Sequence, residues 1–344
     1  MSDIDERKIR ILQAIISDYI TTAEPVGSRT IAKKYDLGIS SATIRNEMAD
    51  LEDMGYLEQP HSSAGRKPSD KGYRLYVDKL MPDEALSLED ELRIKGYLVD
   101  EALYEVDKML KQATYILSEL TKLTCILKAP SVNKSHIKSI QLLAIDVNSI
   151  LVVMVTDGGI IKNSLIRVEK APNQDVLLKI SNALANRIRN LTLEQINLEV
   201  INNLKSDLSG YDDIFNAIIP AIYDTLNHKG SSEVYTEGTA NIFNYPEFND
   251  IEKARDFLSL IGNRELVNSL INTDGVLTIK IGEENYVKEA KDCSVITASY
   301  SLGNVPVGTI GLIGPTRIPY SKIMTIVGKV MKELNESLRQ YSDY

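Results

Sequence analysis

Residues 27–73 read GSRTIAKKYDLGISSATIRNEMADLEDMGYLEQPHSSAGRKPSDKGY: two short helical stretches, a tight turn between them, and a loop of Ser, Gly and basic residues. Ser28 stands where an N-cap belongs, and the helix it opens is expected to run through Tyr35 with Ile31 inward. Asp36-Leu37-Gly38 makes the turn, where glycine takes a left-handed conformation cheaply. A longer helix is expected from just after Ser40 to about Met54, with Ile44, Met48 and Leu51 as its buried stripe and Gly55 as its stop. From Tyr56 the pattern predicts a short strand, a loop and a second strand ending near Pro68, then a helix capped by Ser69 through Leu80. Upstream, Ile9, Leu12, Ile16, Tyr19 and Ile20 fall at helical spacing, which predicts a helix over about 5–21.

A pair of helices of this kind reaches DNA by laying the second one in the major groove, its first turns near the base edges. The outward positions there are Ser41, Thr43, Arg45 and Asn46. Arg bonds guanine O6 and N7 in bidentate fashion, and Asn does the same with adenine N6 and N7. Ser28 and Arg29, opening the preceding helix, suit phosphate. The loop His61-Ser62-Ser63-Ala64-Gly65-Arg66-Lys67 combines donors, flexibility and positive charge, as a wing on the backbone or in the minor groove requires. From Pro60 to Arg74 the bases Arg66, Lys67, Lys71 and Arg74 face the single acid Asp70, while residues 1–80 taken together are close to charge balance. The basic character is therefore confined to one surface.

Composition sets the outer bounds. The 344 residues suffice for two or three domains, and 43% hydrophobic with 25% charged residues is ordinary for a soluble globular chain. Uninterrupted apolar runs stay far below the roughly 18 residues that span a bilayer, and the start MSDIDERK has no apolar core of a secretory signal, so the expected setting is cytoplasmic, without a membrane. Cys125 and Cys293 stand in unrelated apolar contexts, as buried thiols do in a reducing compartment. A net charge of −9 argues against indiscriminate coating of nucleic acid but not against a local DNA-reading surface.

Beyond Pro82 the pattern is strongly helical from Ser87 to Lys128, expected as two helices broken near Gly96. In the second, Leu103, Val106, Leu110, Ala113, Leu117, Leu120 and Thr124 make a seam of alternating threes and fours, which serves either a helix packed on its own domain or a dimer-forming helix. Segments 137–146, 149–156 and 160–168 read as strands, with Asp157-Gly158-Gly159 as a hairpin turn; helices are expected at 173–189 and 193–204. From Ser206 to Thr273 the chain is mainly helical apart from Glu233-Val234-Tyr235-Thr236. Residues 276–281 and 293–313 return to strand character around Gly303-Asn304, and an amphipathic helix over about 321–338 closes the chain. Strands, helices and strands again suggest one α+β domain with a mostly helical insertion.

The run Ser41-Ala42-Thr43-Ile44-Arg45-Asn46-Glu47-Met48, then Leu51-Glu52, Gly55-Tyr56-Leu57 and Gln59-Pro60-His61-Ser62-Ser63-Ala64-Gly65-Arg66, closely resembles the HrcA family of heat-inducible transcription repressors. Ile281-Gly282-Glu283-Glu284-Asn285, Gly308-Thr309-Ile310-Gly311 and Gly314-Pro315-Thr316-Arg317 resemble the same family, in the same order. Lys67 departs from it, since an aliphatic residue is more usual there. The resemblance implies an α+β multidomain fold: an N-terminal winged helix-turn-helix over 1–82 and a GAF-like α+β domain in two parts, 83–205 and 276–344. A mostly helical dimerisation domain is implied between them at 206–275. It also implies a homodimer on the inverted-repeat CIRCE operator upstream of chaperone operons, with repression supported by the chaperonin.

Other chemistry finds little purchase. His61, His136 and His228 are scattered and no C-x-x-C occurs, so no metal or cofactor is expected. Gly308 to Gly314 lacks the lysine of a phosphate-binding loop, and no G-x-S-x-G nucleophile elbow is present, so no enzymatic role is expected. The competing expectation is a small-molecule-responsive regulator with a ligand pocket in the GAF-like part, and a third is a protein-interaction scaffold that binds no duplex.

Overall fold

A computed structural model describes residues 4–61, 64–99, 106–128, 136–156, 161–192, 195–226, 234–272, 275–302 and 305–342. The Asp157-Gly158-Gly159 and Gly303-Asn304 turns, Ser62 and Ser63, Leu103 and His228 lie outside these residues.

The N-terminal part is built as its periodicity demands. Helix α1 (Glu6–Thr22) is capped by Asp5, whose carboxylate accepts from the Lys8 amide, and it buries Ile11, Leu12, Ile15 and Ile16. Helix α2 (Ser28–Lys34) buries Ile31; its cap position is Gly27, so Ser28 is the first helical residue rather than the N-cap. The turn after it takes Gly38 at φ +68°. Helix α3 (Ser41–Asp53) is capped by Ser40, buries Ile44, Met48 and Leu51, and ends with the Gly55 amide on Glu52 O and the Tyr56 amide on Leu51 O. Strands β1 (Leu57–Glu58) and β2 (Lys67–Pro68) pair antiparallel, and Val26 adds a bridge to Arg66. Ser69 caps α4 (Asp70–Leu75), which continues as a π-helical turn over Tyr76–Leu80.

Helix α5 (Leu88–Val99) runs through Gly96 without a break. Nothing stands within 4 Å of where a Gly96 side chain would go, so the residue weakens the helix without forcing a kink. Helix α6 (Val106–Thr121) buries Leu110, Ala113 and Leu117 in the chain's own largest core. Of the two roles open to the seam, these residues take the intradomain one. Thr124 is not on the helix but opens strand β3 (Thr124–Lys128).

Next come β4 (Ile137–Asp146), β5 (Ser149–Thr156), β6 (Ile161–Arg167) and helices α7 (Gln174–Ile188), α8 (Leu198–Asp207) and α9 (Asp212–Leu226). The helix expected at 193–204 starts later, capped by Asn197. Then follow β7 (Val234–Glu237), α10 (Ile251–Gly262), α11 (Arg264–Leu270), β8 (Leu277–Ile281), β9 (Cys293–Leu302), β10 (Val305–Pro315) and α12 (Tyr320–Ser342). The fold is α+β, with two larger antiparallel sheets.

The five-stranded sheet has the order β7-β3-β10-β9-β8. Its strands alternate between two cores, as a pleat requires. Cys125, Leu127, Ile296 and Leu312 pack with α6 and α12, while Ile126, Val295 and Ile313 pack with α10 and α11. The three-stranded sheet β4-β5-β6 has a separate core, in which Leu142, Val152 and Met154 meet Leu177, Leu184, Leu204 and Ile218.

Strand pairing therefore moves the interruption. Strand β3 pairs with β7 and β10, so the segment looped out between paired strands is 137–226, not 206–275. Helices α10 and α11, which the earlier boundary assigned to the insertion, cover one face of the five-stranded sheet. A succession of strands and helices does not reveal which strands pair, and that choice placed the boundary.

Candidate nucleic-acid interface

Helix α3 exposes Arg45 and Asn46 to solvent, while Ser41 and Thr43 are half-buried. Thr43 is tied to the cap: its amide donates to the Ser40 hydroxyl at 3.1 Å and the two hydroxyls stand 3.0 Å apart. Arg29 and Lys33 are exposed one turn apart on α2, with Ser28 half-buried beside them. The i, i+4 spacing of Arg29 and Lys33 was legible, yet Lys33 was not singled out.

Helix α3 also carries the acids Glu47, Asp50, Glu52 and Asp53, an unpromising charge for a helix facing phosphates. Three of them are neutralised from outside the helix. Lys8 of α1 places Nζ 2.7 Å from Glu47 and 3.1 Å from Asp50, and Arg7 reaches Glu47 at 3.3 Å. The hydrogen bonds that Lys8 donates to Glu47 and Asp50 push its ammonium above the usual lysine range, so it stays charged at any physiological pH. Arg66 Nη2 lies 2.7 Å from Glu52 and ties the hairpin to α3. These pairs orient α3 against α1 and the hairpin, and leave Arg45 as an exposed cation on its outer face. No signal in the sequence marked them, because Arg7 and Glu47 stand 40 residues apart and Lys8 and Asp50 are further apart still.

The Ala64 amide donates to His61 O at 2.9 Å, and Gln59 Nε2 donates to Ala64 O at 3.0 Å. His61 is exposed, and Ser62 lies outside the described residues. Arg66 faces inward onto Glu52 with its side chain 19% exposed, so in the free protein it acts first as a joint. Lys67 pairs with Glu58 at 3.1 Å across the β1–β2 register. The structure thus leaves Arg29, Arg45, Asn46 and His61 exposed, and gives Arg66 and Lys67 acidic partners. Among the described residues no group of three His, Cys, Asp or Glu could hold a metal ion, and no helix is long and apolar enough to cross a membrane.

Comparison with known proteins decides the family. The model of the HrcA protein C-terminal domain matches residues 107–324. The heat-inducible transcription repressor HrcA of Clostridium perfringens (strain 13 / Type A) is 59% identical over 98% of this chain and 99% of its own length. The chain belongs to the HrcA family of heat-inducible transcription repressors. The HrcA repressor of Acetivibrio thermocellus is 43% identical, with 98% of this chain and 97% of the relative covered. A crystal structure of a hypothetical protein at 2.2 Å resolution superposes with a TM-score of 0.71 at 23% identity, covering 98% and 99% of the two chains, and so shares the fold.

Two of the family-like segments in the C-terminal half, 281–285 and 314–317, lie against the N-terminal helices. Glu284 receives Arg74 of α4, and Arg317 donates to Ile20 O of α1 at 2.7 Å. The sequence flagged these segments without indicating what they touch.

Proposed function

We propose that this repressor acts as a homodimer on an inverted-repeat operator of the CIRCE type, upstream of chaperone operons. Residues 1–82 form a winged helix-turn-helix in this reading, with α3 as recognition helix and the β1–β2 hairpin as wing. The observation that carries it is the outer face of α3, where Arg45 and Asn46 are exposed while Glu47, Asp50 and Glu52 are paired off. Arg45 and Asn46 read base edges, Ser41 and Thr43 border them, and Ser28, Arg29, His61, Ser62, Arg66 and Lys67 approach the backbone. For Arg66 and Lys67 this role requires exchange of Glu52 and Glu58 for phosphate.

An apolar sheet face supports the dimer. Outward positions Leu143, Leu151 and Leu165 line up across β4, β5 and β6, with Val155 opposite Ile161. Ile161 and Leu165 are 54% and 59% exposed, on a sheet whose other face is filled by α7, α8 and α9. Apolar faces of this kind mark interaction surfaces. A second copy packed there matches the two-fold symmetry of an inverted repeat. The dimerising element is then the 137–226 segment, inserted in a GAF-like domain made of 83–128 and 234–342.

The protein works in the cytoplasm, on nucleoid DNA when bound, and chaperonin sustains repression until unfolded protein occupies it. The competing ligand-responsive reading calls for a pocket on the five-stranded sheet. Tyr300, fully buried there, instead donates to Lys128 O at 3.0 Å, and α6 and α12 pack over that face.

The test is a fluorescence anisotropy titration of an inverted-repeat duplex and a scrambled control at several salt concentrations, with and without chaperonin. The repeat is expected to bind more tightly, by a margin that persists at high salt, and chaperonin to tighten it further. Equal binding to both duplexes would overturn the operator reading, and no chaperonin effect would overturn the proposed signal.

A further inference from the structure

The N-terminal head, residues 4–80, is held to the C-terminal body at two separate places, and the connection that follows it at a third. On α4, Arg74 donates through Nε to Glu284 Oε1 at 2.7 Å and through Nη2 to the Ile279 carbonyl at 2.6 Å. A second oxygen of Glu284 accepts from the Ile281 amide at 2.8 Å. Strand β8 is an edge strand, so this ion pair satisfies one carbonyl and one amide that a neighbouring strand would otherwise take. One turn away Asp70 accepts from the Glu283 amide at 3.0 Å. The approach is so close that a Cβ on Gly282 would lie 1.7 Å from the Asp70 carboxylate.

On α1, Arg317 is 8% exposed and donates to Ile20 O at 2.7 Å while its other nitrogens hold Glu247. On the connection between head and α5, Ser321 donates to Pro82 O at 2.6 Å and Thr325 to Glu84 O at 2.9 Å. Between the anchors, the rings of Tyr73 and Tyr320 meet at a tilt with centroids 5.8 Å apart, and one continuous apolar core runs from Ile11 of α1 to Leu334 of α12.

Two helices of the head and the connection that follows it are all held to the body, so rotating the head relative to the body breaks at least one of these contacts. The connection over 81–87, the natural place for a hinge, is itself pinned to α12. We propose that this clasp sets the half-site spacing that the dimer accepts, with Arg74, Glu284 and Arg317 as its positioning residues. Arg45 and Asn46 read a half-site, but they do not determine how far apart two half-sites lie. That distance follows from the body to which each recognition helix is bolted. A rigid pair presents its second head at high effective concentration at one spacing only, and a loosened pair spreads it over many.

The inference rests on the operator reading, and the test separates the two. Full-length wild type, Glu284→Gln and Arg317→Lys are titrated against a half-site duplex, the inverted repeat, the repeat with its spacer lengthened by about 5 base pairs, which turns one half-site to the opposite face of the helix, and scrambled DNA. Both variants are expected to bind the half-site as wild type does. The wild-type preference for the native spacer over the lengthened one should fall by at least about tenfold in each variant. An unchanged preference, or tighter binding of the variants to the native repeat, would overturn the clasp as the spacing determinant. Wild type that does not tell the half-site from scrambled DNA overturns the operator reading, and the spacing proposal with it. Should Arg317→Lys weaken half-site binding through misfolding, Glu284→Gln, on a side chain 38% exposed, decides alone.

Discussion

Gly65→Ala is the sharpest test of how the hairpin is held. A Cβ built on Gly65 lies 2.5 Å from both the carbonyl carbon and oxygen of Val26 and 2.7 Å from the carbonyl carbon of Pro25. All three contacts are to backbone, so no side-chain rotation relieves them. Val26 cannot retreat freely, because its amide donates to Arg66 O at 2.8 Å and its carbonyl accepts from the Arg66 amide at 2.9 Å. Restoring ordinary van der Waals separation needs a shift of about 1 Å, enough to break both bonds. At about 0.5–1.5 kcal/mol net for each, the local cost is about 1–3 kcal/mol. Gly65 takes no left-handed conformation, so the whole effect is steric. Gly38→Ala is the matched control: nothing stands within 4 Å, and its cost, about 1–2 kcal/mol, comes from φ +68° alone. Native-state hydrogen exchange of the Val26 and Arg66 amides reads the difference. Gly65→Ala should lower their protection about 5- to 150-fold, the equivalent of that energy, and Gly38→Ala should leave the pair intact. Unchanged protection in Gly65→Ala would show that the close approach does not hold the hairpin.

Arg45→Ala should cost about 1–3 kcal/mol in operator binding and relax sequence preference at one position, and unchanged affinity in a folded variant would remove Arg45 as a base reader. Replacing Arg29 and Lys33 together should weaken operator and scrambled DNA alike and reduce the slope of log K against log salt by about 2; Lys67→Ala, whose charge already has Glu58, should change it less. Val153→Lys, at the centre of the outer face of β5, should yield monomers in analytical ultracentrifugation, whereas a stable dimer would place the interface elsewhere. Acid should loosen the head. Burial raises the Glu284 pKa, but the hydrogen bond from Arg74 and the Ile281 amide outweigh it and leave it lowered, so its contribution is complete above the ordinary glutamate value and is lost as pH falls through the lower folded one. Asp70 runs the other way, since burial raises its pKa and charging it costs stability as pH rises. Urea melts should therefore weaken only below about pH 4; weakening near pH 6.5 would point to a histidine instead.

Much of the head was legible because its signals are local. The stripe Ile44, Met48, Leu51, the cap at Ser40 and the stop at Gly55 lie within one short window, and 3.6-residue periodicity with terminus chemistry suffices to place them. The strands at 137–167 and 293–315 were legible through their alternation. Ser28 was misplaced by one residue because glycine also serves at a cap. Gly96 was read as a break because its helix cost is visible in sequence and its open surroundings are not.

What the sequence alone determined is the local machinery: a helix with Arg45 and Asn46 on its outer side, a basic hairpin after it, and alternating apolar strands. The tertiary structure decided three things that no window could hold. It chose the strand order β7-β3-β10-β9-β8, which moved the looped-out segment to 137–226. It chose the partners of the charges, turning Arg66 inward and giving Lys8 to Glu47 and Asp50. It joined Arg74 to Glu284, 210 residues further along the chain. Periodicity encodes which face of an element is apolar. Which distant surface that face meets depends on loop closure and on competition among all the faces at once, and only the folded chain resolves it.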